Sequence, residues 1–427
     1  MIIGRPSLKE TPGEVTVEAG VEVERPDAVY PATLWFGFPT RFGRFVSGSA
    51  DGFIAGLLPL AMRLREDVTI HGDLSYRLAD GLRDYQRFQA TWKPATFGAV
   101  GVRSDDLQRR DPAKSDGAVG TAFSGGVDSF HTLWTHSADN ERFPPARITH
   151  CLMINGFDSD ADLAGTGRFQ RMQRLYETQL EKLGIDLVVV RTNLLEFIGL
   201  ATLKQSFAAF VTAPALQLGS LFSRYYVPSS YKFTHLGRFP DGSHPMFDHL
   251  LATESMQTVH DGGHLTRVAK TVAISEWPAT FDLLRVCVNA TGVQRDGRAI
   301  ANCCTCDKCI RTMATLDVAG ALASYRCFPR PLTRRNIRRM DYGTLGTRVF
   351  ALEIIEFAKQ EGRKDVARDL RQAIARSVLY RSWLHELILA NHRLELRSPR
   401  WASLVRRPKR FIQRLGLGRG WLYSAAT

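Results

Sequence analysis

Six consecutive residues, Ser124-Gly125-Gly126-Val127-Asp128-Ser129, follow a run of small apolar residues at 117–123. That order predicts a buried strand, a tight turn and the first turn of a helix. Such a turn aims backbone N–H groups and the positive end of a helix at one small volume. Gly125 and Gly126 let the chain approach a ligand closely, while Ser124 and Ser129 add hydroxyl donors. Asp128 supplies a carboxylate that can hold a divalent cation against phosphate oxygens. The chemistry these residues suit is capture of a pyrophosphate with its metal. The pattern is neither a Walker loop, which needs a Gly-Lys-Ser/Thr ending, nor a dinucleotide fingerprint. A plain Gly-Gly turn with Asp128 at a helix start is the alternative reading.

A second constellation lies at Cys303-Cys304-Thr305-Cys306-Asp307-Lys308-Cys309. Cys303, Cys306 and Cys309 form C-x-x-C-x-x-C, a spacing that turns thiolates onto one ion, and Zn²⁺ takes four soft ligands tetrahedrally. Cys287, at the end of a strand predicted at 283–289, is the expected fourth ligand. Cys304 can stand in for Cys303. Four thiolates leave no open position, so the metal role is structural. Two other readings remain: buried cysteines acting as small hydrophobes, or an iron–sulfur cluster on Cys303, Cys306 and Cys309. Seven cysteines, an odd number with four clustered, argue against a disulfide framework and for a reducing, cytoplasmic location.

S-G-G-x-D-S resembles the PP-loop of the N-type ATP pyrophosphatases. Together with the downstream cysteines, the layout resembles the 7-cyano-7-deazaguanine synthase-like proteins over about 117–320. A bacterial subgroup also shares V-P-S-S-Y, S-H-P-x-x-D and C-x-K-C-x-R-T-M with this chain. The resemblance implies a Rossmann-like parallel sheet of the HUP type, bound ATP, Mg²⁺ and Zn²⁺, and cleavage of ATP between its α and β phosphates. Ser124, Gly125, Gly126, Val127, Asp128 and Ser129 would then hold ATP–Mg²⁺, and Cys287, Cys303, Cys306 and Cys309 the zinc. A carboxylate or amide oxygen would be adenylated, and ammonia or an amine would displace AMP. The acceptor implied is a small molecule or a modified-nucleobase precursor. No cysteine precedes Cys151, so no glutaminase is expected and ammonia must come from elsewhere.

Two further stretches fit such chemistry. Ser229-Ser230 and Ser243-His244-Pro245-Met246-Phe247-Asp248 follow a predicted strand end, where a second substrate is expected. His244 and Asp248 suit hydrogen bonding to an acceptor or moving a proton; alternatively Pro245 fixes a turn and Asp248 caps a helix. His260-Asp261-Gly262-Gly263-His264 precedes a predicted helix at 264–274 with Arg267 and Lys270 on one face. That pair suits a clamp on the α-phosphate and the leaving pyrophosphate, unless both are solvated surface cations. Glu254 is a candidate second metal ligand.

The elements that position these groups read as α/β. Strands are predicted at 117–123, 148–155, 185–192, 225–228 and 283–289, with helices at 165–183 and 194–222 between them. Residues 1–112 read as an N-terminal α+β module with strands near 15–18, 30–36 and 67–70 and a helix at 74–90, and 103–116 as a linker. Residues 117–324 form the ATP domain with its knuckle at 287–309. Residues 325–427 form a helical basic region. Of the chain's +13 charge, that last region carries 23 Lys+Arg against 8 Asp+Glu, leaving the rest about −2. The tail at 397–419 interleaves Arg with apolar residues and suits RNA, acidic lipid or an acidic partner, or is a solvated arm. No stretch of about 18 apolar residues exists for a membrane span, and 44% hydrophobic with 23% charged residues excludes a mainly disordered chain. The leading expectation is an ATP-dependent, AMP-forming ligase. The alternatives are sulfur transfer to RNA, or an ATP-binding regulatory module without turnover.

Overall fold

The computed structural model describes residues 1–111, 115–155, 167–237, 241–287 and 292–395. Among them are eleven strands in one mixed, mostly parallel sheet. They are β1 (Ile2–Ile3), β2 (Ser7–Thr11), β3 (Glu14–Glu22), β4 (Thr33–Pro39), β5 (Val68–Ser75) and β6 (Val102–Gln108), followed by β7 (Ala118–Ala122), β8 (His150–Asn155), β9 (Asp186–Thr192), β10 (Phe222–Pro228) and β11 (Gln257–Asp261). The order across the sheet is β11-β10-β7-β8-β9-β4-β3-β1-β5-β6, with β2 on β3.

Strands β7 to β11 are mutually parallel in the order β9-β8-β7-β10-β11. Their sequences are short apolar runs because both faces are covered; every residue of β7 is buried. Alternate residues serve two cores. Leu152, Val188, Val190, Tyr225 and Val227 face one, and Cys151, Met153, Leu187, Val189 and Tyr226 the other. The chain reverses its progress across the sheet between β7 and β10, and a crevice is expected there beyond the carboxyl ends of the strands. This α/β arrangement is consistent with a Rossmann-like fold.

The helices between strands are α1 (Asp51–Leu64), α2 (Tyr76–Trp92), α3 (Val127–Thr135), α4 (Arg168–Glu181), α5 (Leu194–Gln205) and α6 (Phe207–Gln217). The short α7 (Phe233–Leu236), α8 (Arg267–Ile274), the short α9 (Thr280–Leu283) and α10 (Asp307–Val318) follow. β4 pairs antiparallel with β9 through Phe36↔Thr192 and Gly37↔Arg191, so residues 1–111 and the parallel strands share one sheet. By contacts the chain divides into two compact units, Met1–Leu332 and Thr333–Thr427. Within the second, α11 (Arg334–Arg339), α12 (Leu345–Gln360) and α13 (Lys364–Glu395) form a helical unit. There Arg334 and Arg338 both bond the buried Asp369 at 2.7 Å, and Arg334 holds its carboxyl below the usual range. The basic tail at 397–419 lies outside the described residues.

Several elements differ from expectation. Residues 102–108, placed largely in a linker, form the edge strand β6. Of the predicted strand at 283–289, Leu283 ends the short α9 and 284–287 are irregular chain, because the Asn302 side chain takes the backbone N–H groups of Val286 and Cys287 at 3.0 and 3.2 Å. Residues 288–289 lie outside the described residues. β11 was not expected at all. No described helix is long and apolar enough to cross a membrane.

Candidate functional site

The Ser124–Ser129 loop joins β7 to α3 at the point where the sheet order reverses. Gly125 has φ +72°, and a Cβ there would lie 2.0 Å from the Tyr176 hydroxyl, which donates to the Leu283 carbonyl at 2.9 Å. Gly126 is the N-cap residue of α3, and its N–H donates to Ser124 Oγ at 3.3 Å. Ser129 Oγ donates to the Gly126 carbonyl at 3.1 Å. From outside, the Arg285 N–H braces the Gly125 carbonyl at 2.6 Å. Gly125→Ala combines backbone strain with a clash and should cost about 1–3 kcal/mol of stability. Gly297→Ala is its control, since Gly297 has φ +74° but no atom of the described residues within 4 Å of a new Cβ. Equal loss of melting temperature in the two variants would contradict the contact with Tyr176.

The structure brings Asp128, Arg267 and Lys270 together. The Arg267 guanidinium donates to Asp128 Oδ2, Lys270 Nζ lies 3.8 Å from Oδ1, and the Ser230 hydroxyl lies 3.5 Å from Oδ2. Asp128 sits in the first turn of α3; Arg267 and Lys270 are one turn apart on α8, which the Thr266 side chain caps. Lys270, buried, also donates to the Ser229 carbonyl at 2.5 Å. The two cations expected to clamp phosphate thus rest on the carboxylate expected to hold the metal. Asp128 Oδ1 is buried and, among the described residues, accepts no hydrogen bond.

Two histidines on and beyond α3 report opposite environments. His131 is buried beside Lys270, and burial first, then that charge, lowers its pKa to about 4. His136 stacks on Tyr226 with ring centroids 4.1 Å apart and bridges Asp261 at 3.1 Å and Glu141 at 2.8 Å; although burial opposes it, the two carboxylates raise its pKa. Asp261 also accepts from Thr132 at 2.6 Å, and its pKa falls to about 2 despite burial. The His131 ring is neutral in the fold at pH values where the unfolded chain already binds a proton. Its stabilisation is therefore complete above pH 6.5 and is lost as pH falls towards 4, by about 3 kcal/mol in all. His131→Leu should flatten the dependence of stability on pH across that window by about one proton. An unchanged slope in denaturant melts between pH 6.5 and 4 would contradict this.

Asp248 and His244 hold the loop before β11. Asp248 is fully buried and accepts from Ser243 Oγ at 2.6 Å and from the His244 N–H at 2.9 Å. The His244 ring packs edge-on against Trp92 at 4.6 Å, and its Nδ1 accepts the Met246 N–H at 3.1 Å. Sequence reasoning did not single out the group that pairs with Asp248, His260, whose Nδ1 lies 2.7 Å away. Its position inside a strand, where imidazole and carboxylate converge from two segments, has no local signal. Glu254, a candidate metal ligand, instead accepts the Ser75 hydroxyl at 2.8 Å and the Arg77 N–H at 3.0 Å at the start of α2.

The cysteine knuckle closes on four sulfurs. Cys287, Cys303, Cys306 and Cys309 bring their Sγ atoms within 4.8 Å of one another. The pairs Cys303–Cys309, Cys306–Cys287 and Cys306–Cys309 are 3.8, 3.7 and 3.5 Å apart. A tetrahedron of thiolates about 2.3 Å from a central zinc has edges of about 3.8 Å, so the set fits a metal ion such as zinc. Cys304 is excluded: at φ +55° its Sγ turns to the Asn302 carbonyl, 3.4 Å away. The backbone N–H of Cys306 points at Cys303 Sγ from 3.3 Å, and Cys306 caps α10, whose positive end faces the cluster. Thiols of Cys306 and Cys309 donate to Cys287 and hold it well below the ordinary thiol range. The buried Asn302 amide ties this assembly to Leu284 and Cys327 through their carbonyls at 2.8 and 3.1 Å.

No protein-family model matches the chain, and neither does any curated protein or solved structure.

Proposed function

We propose that the chain is an ATP-dependent ligase of the PP-loop type, forming AMP and pyrophosphate and resembling the 7-cyano-7-deazaguanine synthase-like proteins. The observation that carries this reading is the convergence of Asp128, Arg267 and Lys270 at the first turn of α3, at the reversal of the sheet order. A helix N-terminus after a Gly-Gly loop supplies N–H donors to phosphate oxygens. Two cations from α8 add the charge that stabilises a leaving pyrophosphate.

In this reading the nucleotide phosphates take over Arg267 and Lys270 and release Asp128. Its freed carboxylate, with phosphate oxygens, would hold Mg²⁺, which uses few protein ligands and would supply charge neutralisation at the phosphates. The carboxylate or amide oxygen of the acceptor attacks the α-phosphorus and pyrophosphate leaves. A nitrogen nucleophile then attacks the activated carbon, the C–O bond breaks and AMP departs. The metal knuckle acts through structure: Arg285, whose N–H braces Gly125, lies two residues from Cys287. Calorimetric titration of ATP with Mg²⁺ tests the clamp. Arg267→Ala should weaken binding at least about tenfold, the loss expected for a charged hydrogen bond; unaltered affinity would remove Arg267 from the site.

A further inference from the structure

β11 ends in His260 and Asp261, whose side chains leave opposite faces of the strand. Asp261 faces α3 through Thr132 and His136. His260 turns the other way, with its side chain 3% exposed. Its Nδ1 lies 2.7 Å from Asp248 Oδ2 and 3.2 Å from Ser243 Oγ. Since Asp248 also takes the Ser243 hydroxyl and the His244 N–H, it gathers three donors on two oxygens. Nδ1 therefore carries the proton, and Nε2 presents a lone pair. That nitrogen is buried and makes no hydrogen bond among the described residues. An acceptor left this way is costly, and a ligand that donates a hydrogen to it removes the cost.

The register sets the end of β11 beside the segment that leads to Asp128. Val227 pairs with His260 and Pro228 with Asp261, and the Ser229 N–H donates to the Asp261 carbonyl at 2.8 Å. The next residue, Ser230, reaches Asp128. Tyr231, half-buried, lies within electrostatic reach of Asp241, Arg267 and Asp128. Asp241 in turn lies within reach of His260, Asp248 and Lys93. Burial pushes the Asp241 carboxyl up to about 6 and the Lys93 ammonium down to about 8.

Resting on the ligase reading, we propose that His260 docks the nitrogen nucleophile, ammonia or a primary amine, through Nε2. The amine donates an N–H to Nε2 while its lone pair attacks the carbon of the acyl adenylate. The C–N bond forms, the C–O bond to AMP breaks with its electron pair leaving on AMP, and the surplus proton of the nitrogen passes to Nε2. Asp248 is the positioning residue: it fixes the tautomer and stabilises the imidazolium until the proton returns to solvent.

The test is ¹⁵N NMR of the full chain labelled at histidine, with the His260 signals assigned by His260→Gln. At pH 7.5 the ring should show Nδ1–H and an unprotonated Nε2. Ammonium chloride should shift Nε2 saturably, whereas tetramethylammonium chloride at equal ionic strength, which has no N–H, should not. An Nε2–H tautomer, an equal response to both salts, or no response overturns the proposal. Asp248→Asn, if folded by circular dichroism, should lose the fixed tautomer and at least tenfold of the ammonium response; the wild-type spectrum decides the matter even where that variant does not fold. ATP–Mg²⁺ is titrated into the same sample. An ammonium response without ATP binding keeps the amine site and removes the ligase reading, while ATP binding without an ammonium response removes the amine site alone.

Discussion

Cys306→Ala should purify with its metal content reduced from about one ion per chain to near zero and should melt about 10 °C or more below the wild type. Cys306 stands at the centre of the sulfur set, 3.7 Å from Cys287 and 3.5 Å from Cys309, at the N-terminus of α10. Binding energy at a structural metal site is folding energy, of order 10 kcal/mol in isolated zinc modules; even half of that lost shifts a domain of this size by many degrees. The effect should travel. Cys287 lies two residues from Arg285, whose N–H holds the Gly125 carbonyl at 2.6 Å, so ATP affinity should fall with the metal. Cys304→Ala is the control, because Cys304 bonds Asn302 rather than the cluster. Retained metal in Cys306→Ala, or metal lost from Cys304→Ala, would contradict this assignment.

Asp128→Asn should leave the fold intact and lower AMP formation by about a thousandfold, the scale of losing charge stabilisation at a phosphoryl centre. Its carboxylate is largely buried and counters Arg267 and Lys270. Removing the negative charge frees both cations, so binding of ATP without metal should hold or tighten while the gain conferred by Mg²⁺ disappears. That divergence separates a metal-binding role from a packing role, which would weaken both. Equal Mg²⁺ dependence in variant and wild type would show that Asp128 does not meet the ion.

The parallel strands were legible because burial on both faces writes itself as uninterrupted apolar runs, as at Leu187 to Val190. The convergence of Cys303, Cys306 and Cys309 was legible from their spacing, and Cys287 was expected to join them from the end of a strand that the structure does not form. Whether Cys303 or Cys304 served was not, since that turns on a positive φ at Cys304 and a contact with Asn302. α1 escaped notice because it is buried from Asp51 to Met62, and a helix apolar on all sides carries no 3.6-residue period. Arg285-Val286-Cys287-Val288 reads as a strand, yet a distant Asn302 takes the hydrogen bonds a neighbouring strand would need. β11 is five residues long inside a stretch rich in Gly, Ser and His. With it went His260, whose pairing with Asp248 depends on the two segments folding together. Arg267 and Lys270 were legible as one helix face; their meeting with Asp128 joins positions 139 and 142 residues apart in the chain, which no local pattern records.

The most direct test of the central claim follows α-labelled ATP through a reaction containing the purified full chain, Mg²⁺, ammonium and an extract of small metabolites, with the nucleotides then separated. The ligase reading predicts labelled AMP with stoichiometric pyrophosphate, dependent on the extract and abolished in Asp128→Asn. Labelled ADP with phosphate, or ATP recovered intact from every mixture, would contradict it.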